Sequence, residues 1–241
     1  MALINSGRMK LASRFESIHK RIQDACDRSG RDPASVSLVA VSKGHTADVI
    51  SGAVDCGHTL FGESKVQEAK AKIPLCPGLA RWHLIGHLQT NKCRDAVRLF
   101  DMIHSMDRVP LAEAIQKECD KASRTMPILL QVNVAGEASK FGMSPDRALE
   151  TLMEVNALDR LEIHGLMTLA PWSALPEKVR PCFRALAELK RRCEDRLGAP
   201  LPHLSMGMSG DFEVAIEEGA TLVRVGTALF GERAKASAFS L

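Results

Sequence analysis

Short apolar runs alternate along this chain with stretches in which apolar residues recur every three to four positions. The short runs are SLVAVSK (37–43), TLFG (59–62), WHLIG (82–86), DMIHSM (101–106), PILLQVNV (127–134), LEIHGLM (161–167), HLSM (203–206) and TLVRVG (221–226), and they read as strands. Between them, 63–73, 109–121, 145–156, 176–197 and 212–218 carry the spacing of helices, and a further amphipathic helix is expected over 9–29. Glycines at 30, 57, 198 and 219 stand where helices would stop. Neither a linker nor an internal repeat interrupts the alternation. Eight β/α units predict one α/β domain over residues 1–241, a single (β/α)8 TIM barrel with an extra N-terminal helix. The alternative is an open doubly wound sheet, which the lack of a GxGxxG after the first run weakens. A barrel places chemistry at the C-terminal ends of its strands and a phosphate site after strands 7 and 8.

Composition narrows the class. Hydrophobic residues at 45% and charged residues at 25% describe a soluble globular chain and exclude a disordered or collagenous one. The formal charge is +3 with the basic residues dispersed. The densest cluster, Lys190-Arg191-Arg192, shares its stretch with Glu188, Glu194 and Asp195, so it reads as a solvated helix face, and no nucleic-acid partner is expected. Seven cysteines, odd in number and without CxxC spacing, argue against a disulfide framework or a zinc ribbon and suit a reducing cytosol. The uncharged run 163–176 is too short and proline-rich to span a bilayer, and MALINSGRMK lacks a signal-peptide core, so a cytoplasmic protein with no membrane partner is expected. The chain contains no tyrosine, which removes any phenolic acid, base or nucleophile.

Three features carry candidate chemistry. Lys43 ends the first apolar run on the face of Val39 and Val41, which points it into the barrel mouth. Desolvation there disfavours the ammonium and frees the amine for Schiff-base formation; the alternative is a lysine that snorkels to water. Arg224 interrupts TLVRVG on the face of Leu222 and Gly226, where a buried guanidinium needs either a neighbouring acidic residue or a ligand. The loops LSMGMSG (204–210) and VGTALFG (225–231) follow strands 7 and 8 with the glycines and hydroxyls of an anion cradle, or of ordinary turns with Ser209 as an N-cap. Asp211 would compete with a phosphate there. The histidines at 83, 87, 104, 164 and 203 lack metal-site spacing, Glu63 and Glu68 read as a helix face, and Gln89, Asn91 and Lys92 could face the barrel mouth or begin a helix. Together an imine-forming lysine, an arginine and a phosphate cradle converge on pyridoxal phosphate, which offers an aldehyde, a pyridine nitrogen and a phosphate.

At this point AVSKGHT, FGESKVQEAKAKI, WHLIGHLQTNK, HSMDR, LLQVNVAGEASKFGM, HGLMTLAP and LSMGMSGDFEVAIEEGATLVRVGTALFGER resemble, in order from about 36 to 233, the pyridoxal phosphate homeostasis proteins. The resemblance implies a fold-type III barrel similar to the N-terminal domain of alanine racemase. It implies Lys43 as the lysine of the internal aldimine, Arg224 facing the pyridine nitrogen, and Ser205, Met206, Ser209, Gly226 and Thr227 in the segments that hold the phosphate. Ser64, Lys65 and His87 depart from its usual Asn, Tyr and Pro, which touches ring contacts from strands 2 and 3. The implied function is binding, buffering or delivery of pyridoxal 5'-phosphate, with apo-enzymes as clients and without catalytic turnover; a monomer is expected because no second domain is read that would complete a shared site. Amino-acid racemase is the alternative, disfavoured because the racemases take a tyrosine from a second domain. A Schiff-base aldolase acting on a phosphorylated sugar is the third reading. A guanidinium can only donate, so Arg224 should leave the ring nitrogen unprotonated and the ring a poor electron sink.

Overall fold

In the computed structural model, which describes residues 2–137 and 140–231, with side chains described from residue 9 onward, eight parallel strands close into a barrel in chain order. They are β1 (Ser37–Val41), β2 (Leu60–Glu63), β3 (Arg81–Leu84), β4 (Met102–Met106), β5 (Met126–Gln131), β6 (Leu161–Met167), β7 (His203–Ser205) and β8 (Leu222–Val225). The barrel prediction holds, and each observed strand overlaps an apolar run. Closure comes from β8 pairing with β1, with Val39 opposite Arg224 and Ala40 opposite Val225. Parallel strands covered on both sides need apolar residues on both faces, which is why the runs are continuous.

The helices are α1 (Ala2–Ser29), α2 (Ala47–Asp55), α3 (Val66–Lys72), α4 (Cys93–Leu99), α5 (Val109–Ala122), α6 (Pro145–Asn156), α7 (Arg180–Leu197), α8 (Phe212–Glu217) and α9 (Thr227–Phe230). The glycines at 30, 57, 198 and 219 all take positive φ, between 66° and 101°, as their stop positions require. The expected helix over 63–73 starts late because Glu63 is the last residue of β2. The extra N-terminal helix docks on α8 and α9: the Arg21 guanidinium lies 4.4 Å over the Phe212 ring and also bonds Glu213, while Arg14 donates to the Leu229 carbonyl.

Two apolar clusters result. The larger fills the space between strands and helices. The smaller, Val39, Met102, Leu129, Met167 and Leu222, fills the barrel's interior. Val39 and Leu222 belong to the interior set, so alternation turns Val41 and Arg224 toward the barrel axis as well. No helix among the described residues is long and apolar enough to cross a membrane.

Candidate functional site

A cavity of about 840 Å³ opens at the C-terminal ends of the strands, where a barrel carries its chemistry. Lys43, Arg224, Ser209, Gly226 and Thr227 all line it. Pairing across β8 and β1 brings these groups together: Arg224 lies opposite Val39, and a Cβ on Gly226 would stand 3.2 Å from the Val41 carbonyl. Lys43 itself sits in the turn after β1 rather than in the strand, which ends two residues earlier.

Arg224 is 3% exposed. Its NH1 group donates to the Ser205 hydroxyl at 2.5 Å and its NH2 group to the Thr168 carbonyl at 2.8 Å. Neither partner is a carboxylate, so the internal salt bridge that sequence allowed is not formed among the described residues. Burial pushes the guanidinium down to about 10, which still leaves it charged at neutral pH. Ser205 Oγ also meets His104 Nδ1 at 3.0 Å, and His104 Nε2 meets His83 Nδ1 at 2.9 Å. Burial, to which the neighbouring His83 imidazole and the Arg224 guanidinium add for His104, holds that imidazole well below its ordinary value, and burial brings His83 down to about 4. Both rings are therefore neutral at pH 7, and each has one N–H to share along the chain.

The loops after β7 and β8 form one side of the cavity. Helix geometry leaves the N–H groups of Thr227 and Ala228 without intrahelical acceptors at the start of α9. The Gly226 N–H donates to Ser209 Oγ at 3.4 Å, joining the loop after β7 to the loop after β8. Asp211 is the N-cap of α8, a place sequence offered to Ser209. Its carboxylate accepts the Met208 N–H at 2.6 Å, and burial pushes its pKa up.

Ser205 and Met206 lie deeper than the loop residues. Both are fully buried, Ser205 is committed to Arg224 and His104, and the Met206 N–H donates to the Leu222 carbonyl at 3.2 Å. Ser205 is the last residue of β7, paired in register with Leu222, and Met206 follows it directly. Neither is among the residues that line the cavity. Gln89 instead leads a short 3-10 turn at 90–92 outside the cavity.

The positions where this chain departs from the expected family pattern all reach the cavity wall. Ser64 and Lys65 enter from the end of β2. His87 stacks on Phe141 with centroids 3.8 Å apart and planes 12° apart, and its Nδ1 lies 3.6 Å from Asp107.

Sequence reasoning missed a buried ion cluster beside Lys43. Glu63 is fully buried and Lys72 8% exposed. Lys72 Nζ donates to Glu63 Oε1 at 2.7 Å, Glu68 Oε1 at 2.8 Å and the Ser42 carbonyl at 2.9 Å. The reading of Glu63 and Glu68 as a helix face is thus corrected. A lysine on the apolar side of α3 was the available signal.

A family model for the alanine racemase N-terminal domain matches residues 15–234. A pyridoxal phosphate homeostasis protein of Aquifex aeolicus is 44% identical over 226 residues, covering 93% of this chain and 99% of that protein. One from Pseudomonas aeruginosa is 39% identical, covering 92% and 96%. Among solved structures, PipY of Synechococcus elongatus with PLP bound superposes with a TM-score of 0.79 at 36% identity, covering 92% of this chain and all of that one.

Proposed function

This chain belongs to the alanine racemase N-terminal domain family, among its pyridoxal phosphate homeostasis proteins, and we propose on that premise that it binds pyridoxal 5'-phosphate to buffer or deliver it. The observation that carries the proposal is the gathering of Lys43, the charged Arg224 and the Ser209, Gly226 and Thr227 cradle around one cavity. The residues fit the group: the cavity is large enough, and it offers an amine, a cation and backbone N–H groups that have no intrahelical acceptors.

When bound, the cofactor supplies an aldehyde that condenses reversibly with a primary amine, losing water. Lys43 is the amine at hand. Arg224 is held rigidly by Ser205 and Thr168 and, as a donor only, would face the pyridine nitrogen without protonating it. A ring left neutral withdraws electrons weakly, which suits holding over turnover. Thr227 and Ser209 would receive the phosphate through hydroxyls and through the N–H groups of 227 and 228. Ser205 and Met206 support that cradle from beneath. We take residues 1–241 as one barrel domain, acting in the cytoplasm as a monomer whose clients are apo-enzymes that use this cofactor. A relative with PLP bound and homologues named for its homeostasis support the reading.

The test is reconstitution with pyridoxal 5'-phosphate, borohydride reduction and peptide mapping. A visible band should vanish on reduction, with the pyridoxyl group on Lys43. Labelling of another lysine, or no band after reconstitution, would refute the binding site. One observation favours a second reading, amino-acid racemase: His87, beside Asp107, puts a possible base on the cavity wall. Incorporation of solvent deuterium at the α-carbon of an amino acid would establish it, and no incorporation would leave carriage alone.

A further inference from the structure

Lys43 is the middle residue of a clamped tripeptide. On its N-terminal side, Ser42 is tied three ways. Its N–H donates to the Gly62 carbonyl at 3.1 Å, its hydroxyl to Glu63 Oε1 at 2.6 Å, and its carbonyl accepts Lys72 Nζ at 2.9 Å. On the C-terminal side, the Gly44 N–H donates to Glu68 Oε1 at 2.5 Å. Gly44 has φ of 77°, a conformation a side chain would resist, so the chain turns sharply just after the lysine. Both anchoring carboxylates end on the same ammonium, that of Lys72.

The cluster is a poor device for stability alone. Glu63 and Lys72 lose their hydration here and Glu68 loses part of its own, and their mutual attraction does little more than offset that loss. One oxygen of Glu63 is buried with no hydrogen-bond partner among the described residues, an added cost. What the arrangement does supply is fixed geometry at the two peptide groups that flank Lys43.

We propose that Lys72, with Glu63 and Glu68, is a positioning device that locks Ser42 and Gly44 and so presents the Lys43 amine to the cavity at a fixed place. The proposal rests on the reading of Lys43 as the amine that meets the cofactor aldehyde. Locking lowers the entropy lost when that amine bonds, so the device should matter for aldehyde capture and not for ring or phosphate contacts.

Two ligands separate those contributions: pyridoxal 5'-phosphate, and pyridoxine 5'-phosphate, which carries an alcohol in place of the aldehyde. Lys72→Met would strand two carboxylates and can fail to fold, so the working variants are Glu68→Ala and Glu68→Gln, at a partly exposed side chain. Glu68→Ala should weaken pyridoxal 5'-phosphate binding about tenfold while leaving pyridoxine 5'-phosphate within about twofold, and Glu68→Gln, which keeps an acceptor for Gly44, should recover most of the loss. In the protein without cofactor, the Gly44 amide should exchange its hydrogen about tenfold faster in Glu68→Ala than in wild type. Equal loss for both ligands, no loss for either, or unchanged Gly44 exchange would overturn the proposal. A wild-type protein that binds neither ligand, or reduction that labels a lysine other than Lys43, would instead refute the binding reading and the proposal with it. Gly44 exchange, read without cofactor, tells the two failures apart.

Discussion

Arg224 reaches the Ser205 hydroxyl at 2.5 Å inside the barrel, below the loops that line the cavity. The serine therefore serves the arginine. Ser205→Ala removes the acceptor of one guanidinium N–H and the partner of His104 Nδ1, both buried. Leaving such groups unsatisfied costs about 1–3 kcal/mol. The midpoint of urea unfolding should fall with an unchanged slope, while competition by inorganic phosphate stays as in wild type. Full stability combined with lost phosphate competition would return Ser205 to the cradle.

Stability should fall as pH drops from about 6.5 toward 4. Burial brings His58 and His83 each to about 4 and His104 well below its ordinary value. In that window the unfolded chain binds protons that the folded chain refuses, so acid favours unfolding by up to a few kcal/mol in all. Glu63 and Asp211 act in the opposite sense, because burial raises their carboxyl pKa values and their contribution is lost as pH rises. The histidine shifts are the larger group and should set the slope. Urea unfolding at pH 7 and pH 5 measures it, and His83→Gln should reduce the difference. An unchanged difference would mean that His83 is protonated in the folded protein.

The fold was legible because continuous apolar runs, repeated with helices between them, have few homes other than a parallel barrel. Arg224 was legible as a charge inside such a run, and the two loops as glycine-rich turns at the expected ends. Its partners were not. Ser205 stands 19 residues earlier and Thr168 56 residues earlier, and only the closed barrel brings them to the guanidinium. The Glu63–Lys72 pair was hidden for a different reason. The two are nine residues apart across the boundary between β2 and α3, and a helix pattern read through that boundary turns the strand's last residue into a helix residue.

Gly86→Ala should disturb the cavity wall directly. A Cβ at Gly86 would lie 2.1 Å from the Ser64 carbonyl oxygen and 2.7 Å from its Cα, so backbone must move. That displacement shifts Ser64 and Lys65, which line the cavity. Overpacking of this kind typically costs 1–3 kcal/mol. Thermal unfolding should occur several degrees lower and pyridoxal 5'-phosphate should bind more weakly. Gly78, where a Cβ meets open space, is the matched control, and Gly78→Ala should change neither quantity. Equal behaviour of the two variants would show that the Ser64 peptide yields freely.

The assignment of Ser209 and Thr227 to phosphate predicts a pattern across ligands rather than a single loss. Each hydroxyl contributes one hydrogen bond of about 1 kcal/mol, so Ser209→Ala and Thr227→Val should each weaken pyridoxal 5'-phosphate by roughly fivefold. The same factor should apply to pyridoxine 5'-phosphate and to competition by inorganic phosphate, because under this assignment the phosphate is the only part of the ligand those hydroxyls meet. Unphosphorylated pyridoxal should bind the variants as it binds wild type. Lys43→Ala should show the complementary pattern, weakening the two aldehydes and sparing the alcohol and the inorganic ion. Two groups acting on separate parts of one ligand should also be additive in free energy, so Lys43→Ala combined with Thr227→Val should lose the product of the single factors. Isothermal titration of the four ligands against wild type and the four variants reads the whole pattern. Loss of pyridoxal binding in Thr227→Val, or sparing of inorganic phosphate, would mean that the loop after β8 shapes the cavity without holding the anion.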